Sequence, residues 1–169
     1  MVAPVTVSEK DLHTLLGIVS DERSDLPVAG LPLSLLAELM GQIRCDSLSF
    51  FGSDSGRQTD WFGQNLPADG DEDDDGDYEQ AYWEHFWDFE PCPYPEISGD
   101  VRSVTKALDF YSVRQFHGTG MYCDYFRPLG IEHYIRLCMA AGPGRTVNLG
   151  LFRGPGPDFS ERDLSYSGT

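Results

Sequence analysis

Apolar residues recur along this chain at two spacings, and the change from one to the other separates helices from strands. Leu12, Leu15, Leu16 and Val19 follow the i, i+3, i+4, i+7 rhythm of one helix face, with Ser8 placed as an N-cap. After a Pro/Gly loop, Leu36, Leu39, Met40 and Ile43 repeat that rhythm, with Pro32 suited to the first turn. The pattern then shortens. Asp46 to Gly52 and Gln58 to Phe62 read as two strands joined by Ser53-Asp54-Ser55-Gly56, an antiparallel hairpin. From Tyr78 to Phe89 the helical period returns, with Tyr78, Ala81, Tyr82, His85 and Phe89 on one face and Gln80, Glu84 and Asp88 opposite. Trp83 and Trp87 fall one turn apart on the flank between them.

Pro91-Cys92-Pro93-Tyr94-Pro95 ends that helix and is expected to run extended. Ser98 to Gly130 reads as irregular or briefly helical, broken at Gly118-Thr119-Gly120. The clearest unit follows. Ile131, His133, Ile135, Leu137 and Met139 alternate with Glu132, Tyr134, Arg136 and Cys138, which predicts a half-buried strand. Gly142-Pro143-Gly144 supplies a turn, and Thr146 to Phe152 returns as the partner strand. At Phe159-Ser160-Glu161-Arg162-Asp163 a further helix begins, with Ser160 as N-cap, and only six residues follow it. Helices flanking mostly antiparallel strands give a single α+β domain over 1–169, an antiparallel sheet with helices packed on its faces.

Composition narrows the function. The net charge is -16, and Asp69 to Asp77 alone carries seven acidic residues, leaving about -9 for the rest. Such a surface repels phosphate backbones, so nucleic-acid binding by this chain is not expected. No run of eighteen apolar residues occurs and Met1-Val2-Ala3-Pro4 lacks signal-peptide order, so a cytoplasmic protein without membrane contact is expected. Cys45, Cys92, Cys123 and Cys138 form no Cys-x-x-Cys pair, which predicts reduced, mostly buried thiols rather than a zinc site or disulfide framework.

The acidic segment, taken as a mobile loop over 66–77, places Asp71, Asp73, Asp75 and Gly76 at EF-hand positions 1, 3, 5 and 6, with Glu79 at position 9. Position 12 is Tyr82, where the bidentate Glu is required. A solvated loop is therefore expected in place of a calcium site, and no metal or cofactor is called for. Nor does a catalytic frame occur: there is no Gly-x-Ser-x-Gly, no His-Glu-x-x-His and no ligand spacing among His13, His85, His117 and His133. The chain is not expected to be an enzyme.

Aromatic and histidine side chains concentrate between Trp83 and His133, as small-molecule pockets require. Trp83, Trp87, Tyr94, Tyr111, His117, Tyr125 and His133 are the candidate ligand-binding residues, weighed against ordinary core packing. His133 stands out because strand alternation turns it to the face of Ile131 and Ile135, where its ring needs a partner.

Several stretches carry a family resemblance: Gly99-Asp-Val-Arg-Ser-Val-Thr-Lys, Asp109-Phe-Tyr-Ser-Val-Arg-Gln-Phe-His, Thr119-Gly-Met-Tyr, Asp124-Tyr-Phe-Arg-Pro-Leu-Gly-Ile-Glu-His133, Ala141-Gly-Pro-Gly-Arg-Thr and Phe152 through Asp163. Together they resemble the N-terminal, GAF-like domain of actinobacterial LuxR-type transcriptional regulators. The resemblance is looser from Leu12 to Pro95, through Cys45-Asp-Ser, Phe86-Trp-Asp and Pro-Cys-x-Tyr-Pro. It implies a regulatory domain that binds a small molecule or dimerises. In that family the helix opening at Phe159 to Asp163 is long and leads to a helix-turn-helix domain. Here 159–169 reads as that helix cut short, with the DNA-binding domain absent. A second reading is an interaction module that pairs through its first helix, with Leu12, Leu15, Leu16 and Val19 meeting either a partner domain or a second copy in a homodimer; loss of the final helix would leave that face exposed. A third is a cysteine-dependent reductase, as some GAF-fold proteins are, although no cysteine here sits in that pattern.

Overall fold

The computed structural model describes residues 30–67, 75–100, 104–140 and 143–159. The expected first helix, its proposed pairing face, most of the acidic segment and the helix after Phe159 lie outside them.

Pro32 precedes helix α1, Leu33–Ile43, and its carbonyl accepts the amides of Leu35 and Leu36. Leu36 and Ile43 are wholly buried on the predicted face, with Leu39 and Met40 packed beside them. The helix ends at Arg44 in the left-handed region, φ 57°. Its last carbonyls are satisfied by Arg153, whose Nη2 and Nε donate to Ile43 and Arg44 at 2.9 and 2.8 Å.

Strands β1, Ser47–Asp54, and β2, Thr59–Leu66, form the predicted hairpin. Its turn lies at 55–58, two residues later than expected, because β1 stays paired with β5 as far as Asp54. The Asp54 carboxylate then accepts the Arg57 amide and closes the turn. Gly52 pairs with Phe62 and Ser53 with Asp60, so Trp61 is the extra residue of a bulge.

Helix α2, Asp75–His85, begins inside the segment expected as a loop and stops four residues short of Phe89. Asp75, Gly76, Glu79 and Tyr82 therefore share one helix, unlike the arrangement of a calcium-binding loop. The early end also reassigns the faces: Trp83, Phe86 and Phe89 are buried while Trp87 is 51% exposed. The proline link is not extended. Cys92 donates to the Phe89 carbonyl, and Tyr94–Ser98 forms the short helix α3, whose first turn accommodates Pro95 because no helical partner is needed there.

Strand β3, Val104–Lys106, was not expected; three residues are too few for alternation to register. A 3₁₀ turn at Ala107–Asp109, helix α4 at Val113–His117 and a π-helical turn at Tyr122–Phe126 follow. Ser112 and Gln115 cap α4 reciprocally. Strands β4, His133–Ala140, and β5, Arg145–Arg153, complete a five-stranded antiparallel sheet in the order β2-β1-β5-β4-β3. The fold is α+β with helices on the sheet faces.

Both faces of β4 are covered, whereas the sequence predicts one. Ile135 joins Leu48, Phe50, Leu149 and Leu151 beneath α1. Tyr134 joins Phe86, Phe89, Phe116 and Phe126 beneath α2 and the π-helical turn. Polar residues at alternate strand positions are therefore not a solvent face, which bears directly on Arg136.

Candidate functional site

Between the second sheet face and its helical cover lies a cavity in two compartments. The inner one, about 60 Å³, is walled by Phe51, Phe89, Phe126 and Phe152 and reaches Tyr134 and Arg136. The outer one, about 470 Å³, opens past Asp60, Trp61, Gly63 and Glu79. Ser49, Phe51, Tyr82 and Tyr125 line both, so the two compartments adjoin. The outer volume is in the range of small-molecule sites.

Two glycines make the concavity. Gly150 pairs with Ser49 on one side and Arg136 on the other, so the sheet face has no side chain there. A Cβ at Gly150 would stand 2.8 Å from Phe152 Cζ. Gly63, opposite Phe51, has open space where its Cβ would be.

The inner floor is polar and electrostatically unbalanced. Arg136 Nε and Nη2 donate to Asn148 Oδ1 at 3.0 and 2.7 Å, and Nη1 donates to the carbonyls of Pro91 and Cys92 at 2.9 and 3.1 Å. All are neutral acceptors. No carboxylate among the described residues pairs with this guanidinium, and four of its five N–H groups are used. Beside it, Tyr134 is 5% exposed and its hydroxyl has no hydrogen-bond partner among the described residues. Burial holds the Tyr134 and Tyr82 phenols well above their ordinary range and raises the Cys92 thiol, so all three are neutral donors near pH 7. At the outer mouth, burial raises the Asp60 carboxyl, opposed by the 2.7 Å hydrogen bond from Ser53.

Of the residues singled out from sequence, Tyr125 lines the cavity. Trp83 is buried in the aromatic core beside Tyr82 and Phe86, and Trp87 lies at the surface. Tyr94 donates to Asp100 at 2.9 Å, and the Tyr111 hydroxyl accepts the Glu90 amide at 2.9 Å. His117 stacks on Tyr122 at 4.3 Å and meets Glu132 at 3.0 Å. His133 does have a partner: Nε2 donates to the Gly156 carbonyl at 2.8 Å, with Asp158 3.6 Å from Nδ1. None of these six lines the cavity.

Sequence reasoning missed Arg136, Tyr134, Tyr82, Asn148 and Gly150. A signal was present: Asn148-Leu149-Gly150 sets an amide and a glycine on one strand face, where a solvated face would carry charge and a core face bulk.

No protein-family model matches the chain. No curated protein is similar to it. Among solved structures, the crystal structure of the VqsR LBD domain from Pseudomonas aeruginosa has a similar fold. Its TM-score is 0.55 at 15% identity, covering 90% of this chain and 83% of that one. At that identity the likeness is one of fold.

Proposed function

We propose that the chain is a sensory domain of a transcriptional regulator of LuxR type, and that it binds a small molecule in the cavity over the second sheet face. The observation that carries this reading is the inner floor, where an unpaired charge and an orphaned hydroxyl meet in an aromatic enclosure. Half-burying a guanidinium without a counter-charge and burying a hydroxyl without a partner is unfavourable, by about 1–3 kcal/mol for the hydroxyl alone. An occupant that completes both offsets that cost. The fold shared with a domain whose name denotes ligand binding, and the motifs from Gly99 to Asp163, support the same reading.

Catalysis is not part of it. Burial raises the thiols of Cys45, Cys92 and Cys138, the opposite of what a nucleophilic thiol requires. Output through DNA is assigned to other parts of such a regulator, since the acidic surface of this chain repels phosphate.

The test uses Gly63, which lines the outer compartment and has open space where a Cβ would stand. Screened against a defined library of cellular metabolites, the full chain should gain several degrees in Tm with at least one member. Gly63→Leu should fold, melt no lower than the parent and lose the response. A library that leaves the parent unmoved, or a response that survives Gly63→Leu, overturns the proposal.

A further inference from the structure

Resting on that reading, we infer that the site takes a monocarboxylate, its carboxylate seated in the inner compartment against Arg136 and Tyr134 and its apolar body running outward between Phe51, Tyr82 and Tyr125. Three observations on the cavity lead there.

The first is charge. Arg136 is permanently cationic, and its bonds to Asn148, Pro91 and Cys92 hold it in place without neutralising it. In the folded protein those bonds leave one Nη2 N–H uncommitted. A neutral carbonyl would accept that hydrogen and leave the charge standing; a carboxylate accepts it and cancels the charge, the stronger interaction at low dielectric.

The second is Tyr134, which lines the same compartment and whose hydroxyl is buried and unpartnered among the described residues. Burial keeps it protonated, so it arrives as a donor. Two donors of different kinds on one small space match the two oxygens of a carboxylate. The volume of about 60 Å³ admits a head group and excludes the body of a ligand, which fixes the direction of entry.

The third is the opposite polarity of the mouth. Asp60 and Glu79 line the outer compartment, and no basic side chain among the described residues forms an ion pair with either. A ligand with a second carboxylate at its far end would meet both. One anionic end and a neutral or cationic other end is the pattern the cavity reads.

The experiment compares acids with their own neutral forms. Hexanoate, octanoate, 3-phenylpropanoate and indole-3-acetate are titrated against the full chain beside their methyl esters, with octanedioate as the two-ended control. Saturation-transfer NMR and Tm are the readouts. At least one acid should bind, its ester at least tenfold more weakly, and octanedioate at least threefold more weakly than octanoate. Tyr134→Phe should weaken the acid at least fivefold and leave the ester unchanged. Because that change removes only an unpartnered hydroxyl, the variant should be no less stable than the parent, which separates lost recognition from lost folding. Esters that bind as well as the acids overturn the inference while the sensory reading stands, as does a metabolite screen that yields only neutral ligands. Acids and metabolite library both without effect remove the two together. Octanedioate binding as tightly as octanoate overturns the role given to Asp60 and Glu79.

Discussion

Asn148 Oδ1 accepts two N–H groups from Arg136, at 3.0 Å from Nε and 2.7 Å from Nη2, so a neutral amide occupies the place where a guanidinium fork commonly meets a carboxylate. The amide is wholly buried and its orientation is fixed, because Nδ2 donates to Thr146 Oγ1 at 3.0 Å. Arg136 is thereby positioned without being discharged. Asn148→Asp would supply the missing counter-charge from within, with the Thr146 hydroxyl turned to donate. The variant is expected to fold with stability no lower than the parent and to bind any anionic ligand at least tenfold more weakly. Calorimetric titration of parent and variant with the same acid checks this; equal affinities would show that the charge on Arg136 is not what the ligand reads.

Gly150 and Gly63 both border the cavity but should respond to substitution in opposite ways. At Gly150 a Cβ meets the Phe152 ring at 2.8 Å, and Phe152 is part of the aromatic wall. Gly150→Ala should therefore cost about 1–3 kcal/mol through overpacking and close the inner compartment. At Gly63 nothing lies within 4 Å. Gly63→Ala should gain about 0.5–1 kcal/mol from the reduced freedom of the unfolded strand. Urea unfolding of the two variants gives the signs directly, and a stabilised Gly150→Ala would mean that the sheet face is not closely packed at Phe152.

The three tryptophans are placed so that one of them reports on the site. Trp61, in the bulge, lines the outer compartment and is held by the Arg145 guanidinium 4.4 Å above its ring. Trp83 is buried in the core and Trp87 faces solvent. Ligand entry should shift the emission of Trp61. Trp61→Phe should abolish the change while Trp87→Ala keeps it, measured by fluorescence titration with the same compound. A response lost in Trp87→Ala instead would move the site to the outer surface of the cover.

Periodicity revealed the elements whose partners are near in sequence and failed where the determinant was a distant neighbour. The α1 face at Leu36 and Ile43 and the two hairpins are local patterns, and they hold. Arg136 alternates with Ile135 and Leu137 as a solvent-facing residue would. It is half-buried only because Pro91 and Cys92, 45 and 44 residues earlier in the chain, lie against it. The cavity was equally hidden: it is made by what is missing, two glycines on different strands brought to one face by the sheet register. Aromatic clustering pointed to the right region and mostly to its supports, since a stretch dense in rings supplies a core before it supplies a pocket. Tyr125, at the seam between cover and sheet, belongs to both.

Buried thiols give the fold a pH dependence with a definite sign. Burial pushes Cys45 up to about 11 and also raises Cys92 and Cys138. In the unfolded chain a thiol ionises near about 8.5. Between those values the folded state holds protons that the unfolded state has released, so stability falls as pH rises; below about 8.5 both states are protonated and these groups contribute no slope. The buried phenols of Tyr82 and Tyr134, raised well above 10, extend the decline. Urea midpoints should therefore be level, as far as these groups are concerned, from pH 7 to 8 and drop progressively from about 8.5 to 10.5. Cys45→Ala should show a shallower drop than the parent whatever its stability at neutral pH. Iodoacetamide at pH 8 should modify the half-exposed Cys123 well before the other three, which become reactive only on unfolding. Rapid labelling of Cys45 or Cys92 in the folded protein, or an unchanged slope in Cys45→Ala, would place those thiols in contact with water and reopen thiol chemistry as an activity of this domain.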